Sequence, residues 1–180
     1  MKRLAAAFGV ALTLCVGGAQ AQISTNRGDP IDISGDNMEV IDAQRMVAWK
    51  GRVEALQGNN RLRADAINIY YGPGTGPRAE NAAPGTGWGD IDRIEAVGNV
   101  YFVTPEQVAR GEKGVYTAAS DTIVITGDVV VAQGENVLRG DVLTIEVGAG
   151  RSTMDAGPGG GPGERVRGVF YPKKSDGAGR

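Results

Sequence analysis

The sequence has no histidine, and its single cysteine, Cys15, lies in an N-terminal apolar run. Without imidazole the commonest general base and a leading metal ligand are both missing, and a lone thiol cannot form an internal disulfide. Aromatic residues are only 6% of the chain, so the core must be built mostly from aliphatic side chains. Positive charge is not in excess: 19 basic residues face 21 acidic ones, which excludes nucleic-acid binding through a broad basic field. No apolar run reaches the ~20 residues that a membrane-spanning helix needs. Only carboxylates, hydroxyls and amines remain for catalysis, and no catalytic residue, metal site or cofactor is expected.

What the chain does have begins with Lys2 and Arg3, an apolar run from Leu4 to Val16, and the small-residue triplet Ala19-Gln20-Ala21. These are the parts of a secretory signal peptide over 1–21, with cleavage after Ala21. Leu14 stands where a lipoprotein signal places a small residue, so lipidation of Cys15 is not expected. Losing Lys2 and Arg3 leaves 17 basic against 21 acidic side chains, a formal −4, and a cysteine-free chain stabilised by burial and backbone pairing alone.

Residues 22–30 read as a short lead. From Ile31 to Val147, short alternating runs bounded by Gly, Asn and Asp recur, and helical spacing is almost absent. Strands are expected near 31–34, 37–42, 45–50, 52–57, 61–64, 66–71, 91–97, 99–104, 107–110, 113–118, 121–126, 128–133, 136–139 and 141–147. Laying residues 43–70 on 119–146 gives ten identities in 28 positions, among them Gly51/Gly127, Gln57/Gln133, Leu62/Leu138 and Asp65/Asp141. A fainter third copy starts at Gly98. Each unit reads strand, Gly turn, strand, second turn, strand, acidic residue, strand. Residues 72–90 are rich in Gly and Pro and read as a long mobile loop. Residues 148–180 have linker composition, with one more strand available at 165–171.

The alternation also assigns faces. Val47, Trp49, Val53 and Ala55 share one face, as do their counterparts Ile123, Ile125, Val129 and Val131. Leu62 and Leu138 lie on even positions, but Ile67, Ile69, Leu143 and Ile145 lie on odd ones. The phase slips between them, so Asp65 and Asp141 should mark a bulge or corner. Repeated corners make a twisted, open β-jelly roll of antiparallel strands built from a repeated hairpin unit, with an apolar interior. Inward small residues Ala55, Ala64 and Gly140 leave room for a cleft suited to an acyl chain.

Other residues carry two readings. Asp65, Asp141 and Glu112 occupy one place in the repeat, which favours a structural corner over a catalytic pair or a calcium site. Arg63 and Arg139 repeat two residues earlier; they are either surface ion pairs or contacts to a charged headgroup. Trp49 reads as core, whereas Trp88, inside the Gly-rich loop, is a candidate for a ligand or partner contact.

The Gly-x-Val after an alternating strand, the Gln57-Gly58 turn, Leu62 to Asp65, Gly98-Asn99-Val100 and the closing Arg165-Val166-Arg167-Gly168-Val169-Phe170 together resemble the OstA-like domain of the LptA family, over about 29–147 and more weakly at 165–173. The resemblance implies a periplasmic, non-enzymatic carrier of lipopolysaccharide that holds lipid A acyl chains inside a jelly roll. It also implies a bridge from LptC at the inner membrane to the N-terminal domain of LptD at the outer membrane, with self-association head to tail through open edge strands. The inward residues expected to touch acyl chains are Val47, Trp49, Val53, Ile67, Ile69, Phe102, Ile123, Ile125, Val129, Leu143 and Ile145. Two alternatives stand beside this reading: a scaffold β-protein with a packed interior, and a carbohydrate-active enzyme using Asp65 and Asp141.

Overall fold

Ten strands and one short turn of 3-10 helix follow one another in a computed structural model that describes residues 29–74, 85–157 and 165–172. The signal peptide at 1–21, most of the 22–30 lead, the middle of the 72–90 loop, and the stretches 158–164 and 173–180 lie outside the described residues.

The strands are β1 (Asp32–Ser34), β2 (Asn37–Ile41), β3 (Met46–Gln57), β4 (Asn60–Tyr71), β5 (Ile91–Val103), β6 (Val108–Thr117), β7 (Thr122–Gln133), β8 (Asn136–Glu146), β9 (Arg151–Asp155) and β10 (Arg167–Val169). They form one antiparallel sheet in the order β1-β3-β4-β5-β6-β7-β8-β10, with β2 also on β3 and β9 also on β8. β1 and β2 lie end to end along β3, and β9 and β10 end to end along β8. The all-β, open antiparallel roll expected from the sequence is the fold observed, and the two repeat copies are the hairpins β3–β4 and β7–β8.

Three features differ from the sequence reading. The glycines read as turns inside each unit do not end strands; Gly51, Gly98 and Gly127 sit within β3, β5 and β7, where the register shifts. At each shift two residues face one on the neighbouring strand, which is the count of a β-bulge. Residues 151–155, linker by composition, form β9, because Arg-Ser-Thr-Met-Asp offers one large apolar side chain and therefore no visible alternation. In consequence the strand expected at 141–147 is not an open edge: β9 covers residues 142–146 and β10 covers 137–139.

The bulges line up as a seam across the sheet. Asp65 faces Gly51-Arg52 on one side and Gly98-Asn99 on the other, and Asp141 faces Gly127-Asp128. A side chain at Gly98 (φ 77°) would strike the Asp65 carboxylate at 2.3 Å, and one at Gly127 (φ 86°) would strike Glu112 at 2.6 Å, so only glycine fits both the conformation and the space. Arg52 donates to both oxygens of Asp36, at 2.6 and 3.2 Å, and Asn99 donates to Asp65 at 2.9 Å. The phase slip expected at Asp65 and Asp141 is therefore a real crossing of the seam, and the Asp65 carboxylate is taken up in it.

Candidate functional site

Two clusters of buried apolar residues fill the inner face. Val53, Ala64, Ile67, Ile69, Ala96 and Val100 make the first; Phe102, Ala109, Ile125, Val129, Val131, Leu143 and Ile145 make the second. Between them lies a cavity of about 560 Å³ lined by residues of both. That volume falls in the ~300–1,000 Å³ range of small-molecule sites.

Cross-strand register explains why the space is empty of side chains. One inward row runs Trp49, Ile67, Ala96, Gly114, Ile125, Leu143, so its two central places hold the smallest residues. The next row runs Ile69, Ile94, Tyr116, Ile123, Ile145; its middle three residues, with Ile91, Leu62 and Ala55, wall the cavity with apolar surface. A Cβ added at Gly114 would meet Val100 at 3.4 Å and Ala96 at 3.8 Å, ordinary contact distances, so the place is open. The lining also includes the polar residues Asn60, Arg61 and Asp90.

Of the residues expected from phase to touch acyl chains, Phe102, Ile123 and Ile125 line this cavity. Val53, Ile67 and Ile69 pack in the first cluster, with Trp49 against it, and Val129, Leu143 and Ile145 pack in the second. Val47 pairs with Ile69 and is half-buried, outside both clusters. The reading missed Ile91, Ile94, Ala96, Gly114, Tyr116 and Val147. Ile91 and Ile94 escape an alternation test because the register slips between Tyr70↔Arg93 and Tyr71↔Ile91, placing two inward residues three apart. Met46 and Ala48, on the alternate positions of β3, are buried as well.

The two arginines have different surroundings. Arg63 donates to Glu54 Oε1 at 2.8 Å, and Arg61 reaches the same oxygen at 3.1 Å. The Arg63 guanidinium, with Arg61 beside it, holds the Glu54 carboxyl below its ordinary range. Arg139 lies exposed between Val130 and Arg167 in the outward row. Trp88 is half-buried, its ring 5.2 Å from that of Tyr71, and its indole N–H is buried without an acceptor among the described residues. Asp65 and Asp141, the pair an enzyme reading would use, stand in β4 and β8 with three strands between them in the sheet.

Residues 32–151 match the family described as LptA/(LptD N-terminal domain) LPS transport protein. The chain belongs to this family. Its function is accordingly lipopolysaccharide transport. An uncharacterized protein of Rhizobium meliloti (strain 1021) is 31% identical over 166 residues, covering 86% of each chain. The crystal structure of LptH, described as the LptA homologous periplasmic component of the lipopolysaccharide transport device of Pseudomonas aeruginosa, superposes with a TM-score of 0.64 over 83% of this chain and 100% of that one. At 19% identity that likeness establishes a shared jelly-roll fold.

Proposed function

We propose that this LPS transport protein works in the periplasm as a carrier that shelters lipid A acyl chains in the cavity between its two clusters, with the sugars left in water. The observation that carries the reading is the 560 Å³ space walled by Leu62, Ile91, Ile94, Phe102, Ile123 and Ile125 in the middle of the inner face. A packed scaffold would have filled the Ala96–Gly114 pair with larger side chains. The driving force is partition: each CH₂ withdrawn from water contributes about 0.8 kcal/mol, and transfer onward needs only a neighbouring site of similar quality. Such transfer fits a bridge from LptC to the LptD N-terminal domain, with copies joined head to tail. The edges available for that joining are β1/β2 at one end and β9/β10 at the other, since among the described residues both present strands paired on one side only.

Gly114→Leu tests the cavity. The new side chain has room at its Cβ and projects into the space, so the fold should survive while lipopolysaccharide recovered with the protein, measured by mass spectrometry, drops severalfold. Val97→Leu, at an exposed position that lines neither cavity, should retain the wild-type amount. Undiminished lipid on the Gly114→Leu protein would place the acyl chains elsewhere.

A further inference from the structure

We infer that the outward face of β6–β8, where β9 gives way to β10, is a binding site for a phosphate-bearing group. Arg110 of β6, Arg139 of β8 and Arg165, two residues before β10, line an open cavity of about 450 Å³. No residue lines both this cavity and the apolar one, so the proposal stands apart from the acyl-chain reading.

Four observations point to an anion. The register sets Arg110 opposite Val130, Val130 opposite Arg139, and Arg139 directly opposite Arg167. Directly opposed like charges on one sheet face destabilise it, and a bound anion would reverse the sign of that term. Second, Arg52, Arg61, Arg63, Arg93 and Arg151 each stand within ion-pair distance of a carboxylate. Arg110, Arg139, Arg165 and Arg167 form no such pair among the described residues, even though Asp128 and Asp141 line the same cavity. Third, β1 and β2 are joined by Gly35 and Asp36 alone, whereas β9 and β10 are separated by 11 residues in sequence, and Arg165, just before β10, lines the cavity. Fourth, three arginines against two aspartates give the lining a formal +1. The net sign of the lining therefore favours an anion. Guanidinium forks are matched to phosphate oxygens and bind them through paired, charge-assisted hydrogen bonds.

A phosphorylated lipid headgroup and a soluble phosphate present the same chemistry, and the experiment separates them. Amide spectra of the full chain are followed by NMR during titration with inorganic pyrophosphate and, separately, with detergent-dispersed lipid A. Saturable shifts are expected around Val130, Arg139 and Arg167, and Arg110→Gln/Arg139→Gln should weaken pyrophosphate binding by about tenfold or more. Arg63→Gln lies in the same row but is tied to Glu54, and should bind as the wild type does. Removing the repulsion should leave the melting temperature of the double variant equal or higher, so loss of binding is not loss of fold. If the double variant also weakens lipid A binding, the source is the headgroup; if only pyrophosphate binding falls, it is a soluble phosphate. Gly114→Leu should lower lipid A binding and spare pyrophosphate, so failure of the cavity reading would show without touching this one. Absence of saturable shifts at those amides, or equal affinity in the double variant, overturns the proposal.

Discussion

The hairpins β3–β4 and β7–β8 are copies of one unit, and they part company at the seam. In the N-terminal half the residue after each bulge glycine gives a hydrogen bond to the acid beside it: Arg52 to Asp36, Asn99 to Asp65. In the C-terminal half the same place holds Asp128, next to the Gly127 that packs on Glu112, so acid stands near acid. All three residues share a left-handed backbone, with φ between 43° and 48°. The backbone device is thus kept while its polar partner is not. The conformation is set by glycine and sterics, and the side-chain pair is an addition to it.

The strongest way to break the comparison is to attack what both halves share. Val53 and Ile67 in one half, Val129 and Ile125 in the other, are at most 1% exposed. Aspartate at any of them should cost several kcal/mol, since an unpaired buried carboxylate has no compensation. Val130→Asp, on the outward phase, should cost far less. Thermal melting decides it, and equal losses at Val129 and Val130 would mean the faces are assigned wrongly.

A smaller effect sharpens the difference. Asp128→Asn keeps a residue that tolerates the left-handed conformation and restores a donor beside Glu112. It should stabilise by about 0.5–1 kcal/mol, whereas Asn99→Asp, which makes the first half resemble the second, should destabilise by about 1 kcal/mol. Denaturant midpoints at constant slope measure both.

The mildest effect comes with acid. The Arg52 guanidinium holds Asp36 below the usual carboxylate range, and Arg63 does the same for Glu54. A depressed folded-state pKa adds stability that is complete above the unfolded value near pH 4 and is lost as the pH falls through the folded one. Both pairs are solvent-exposed, so the contribution is slight and screened by salt. Hydrogen exchange at Asp36, whose N–H donates to the Gly51 carbonyl at 3.0 Å, should quicken below pH 4 while the middle of β7 keeps its protection.

Fold class and the repeated hairpin were legible because aliphatic alternation in Val53–Ala55, Ile67–Ile69 and Ile123–Ile125 survives without tertiary help. The phase slip at Asp65 and Asp141 was legible too, since the apolar parity changes there. What was hidden depended on neighbours. A glycine within a strand and a glycine between two strands look alike until pairing is known, so Gly51 and Gly127 read as turns. β9 has too few apolar residues to announce itself. The cavity arises from Ala96 and Gly114 meeting across β5 and β6, a coincidence of register between segments 18 residues apart. Ile91 and Ile94 were lost to an irregularity at Asp92 that the linear pattern cannot carry.

The seam also has a geometric consequence. Between Lys50 and Val53 strand β3 spends three steps where β4, from Ala66 to Ala64, spends two; β5 and β7 exceed their following neighbours in the same way. Every second strip of the surface therefore carries one residue, up to about 3.3 Å of contour, more than the strip beside it. Bonded strips of unequal length cannot lie flat, as in a bimetallic ribbon. The curl that gives this protein an inside is written into the backbone count, and it should persist when the side chains on either face are exchanged.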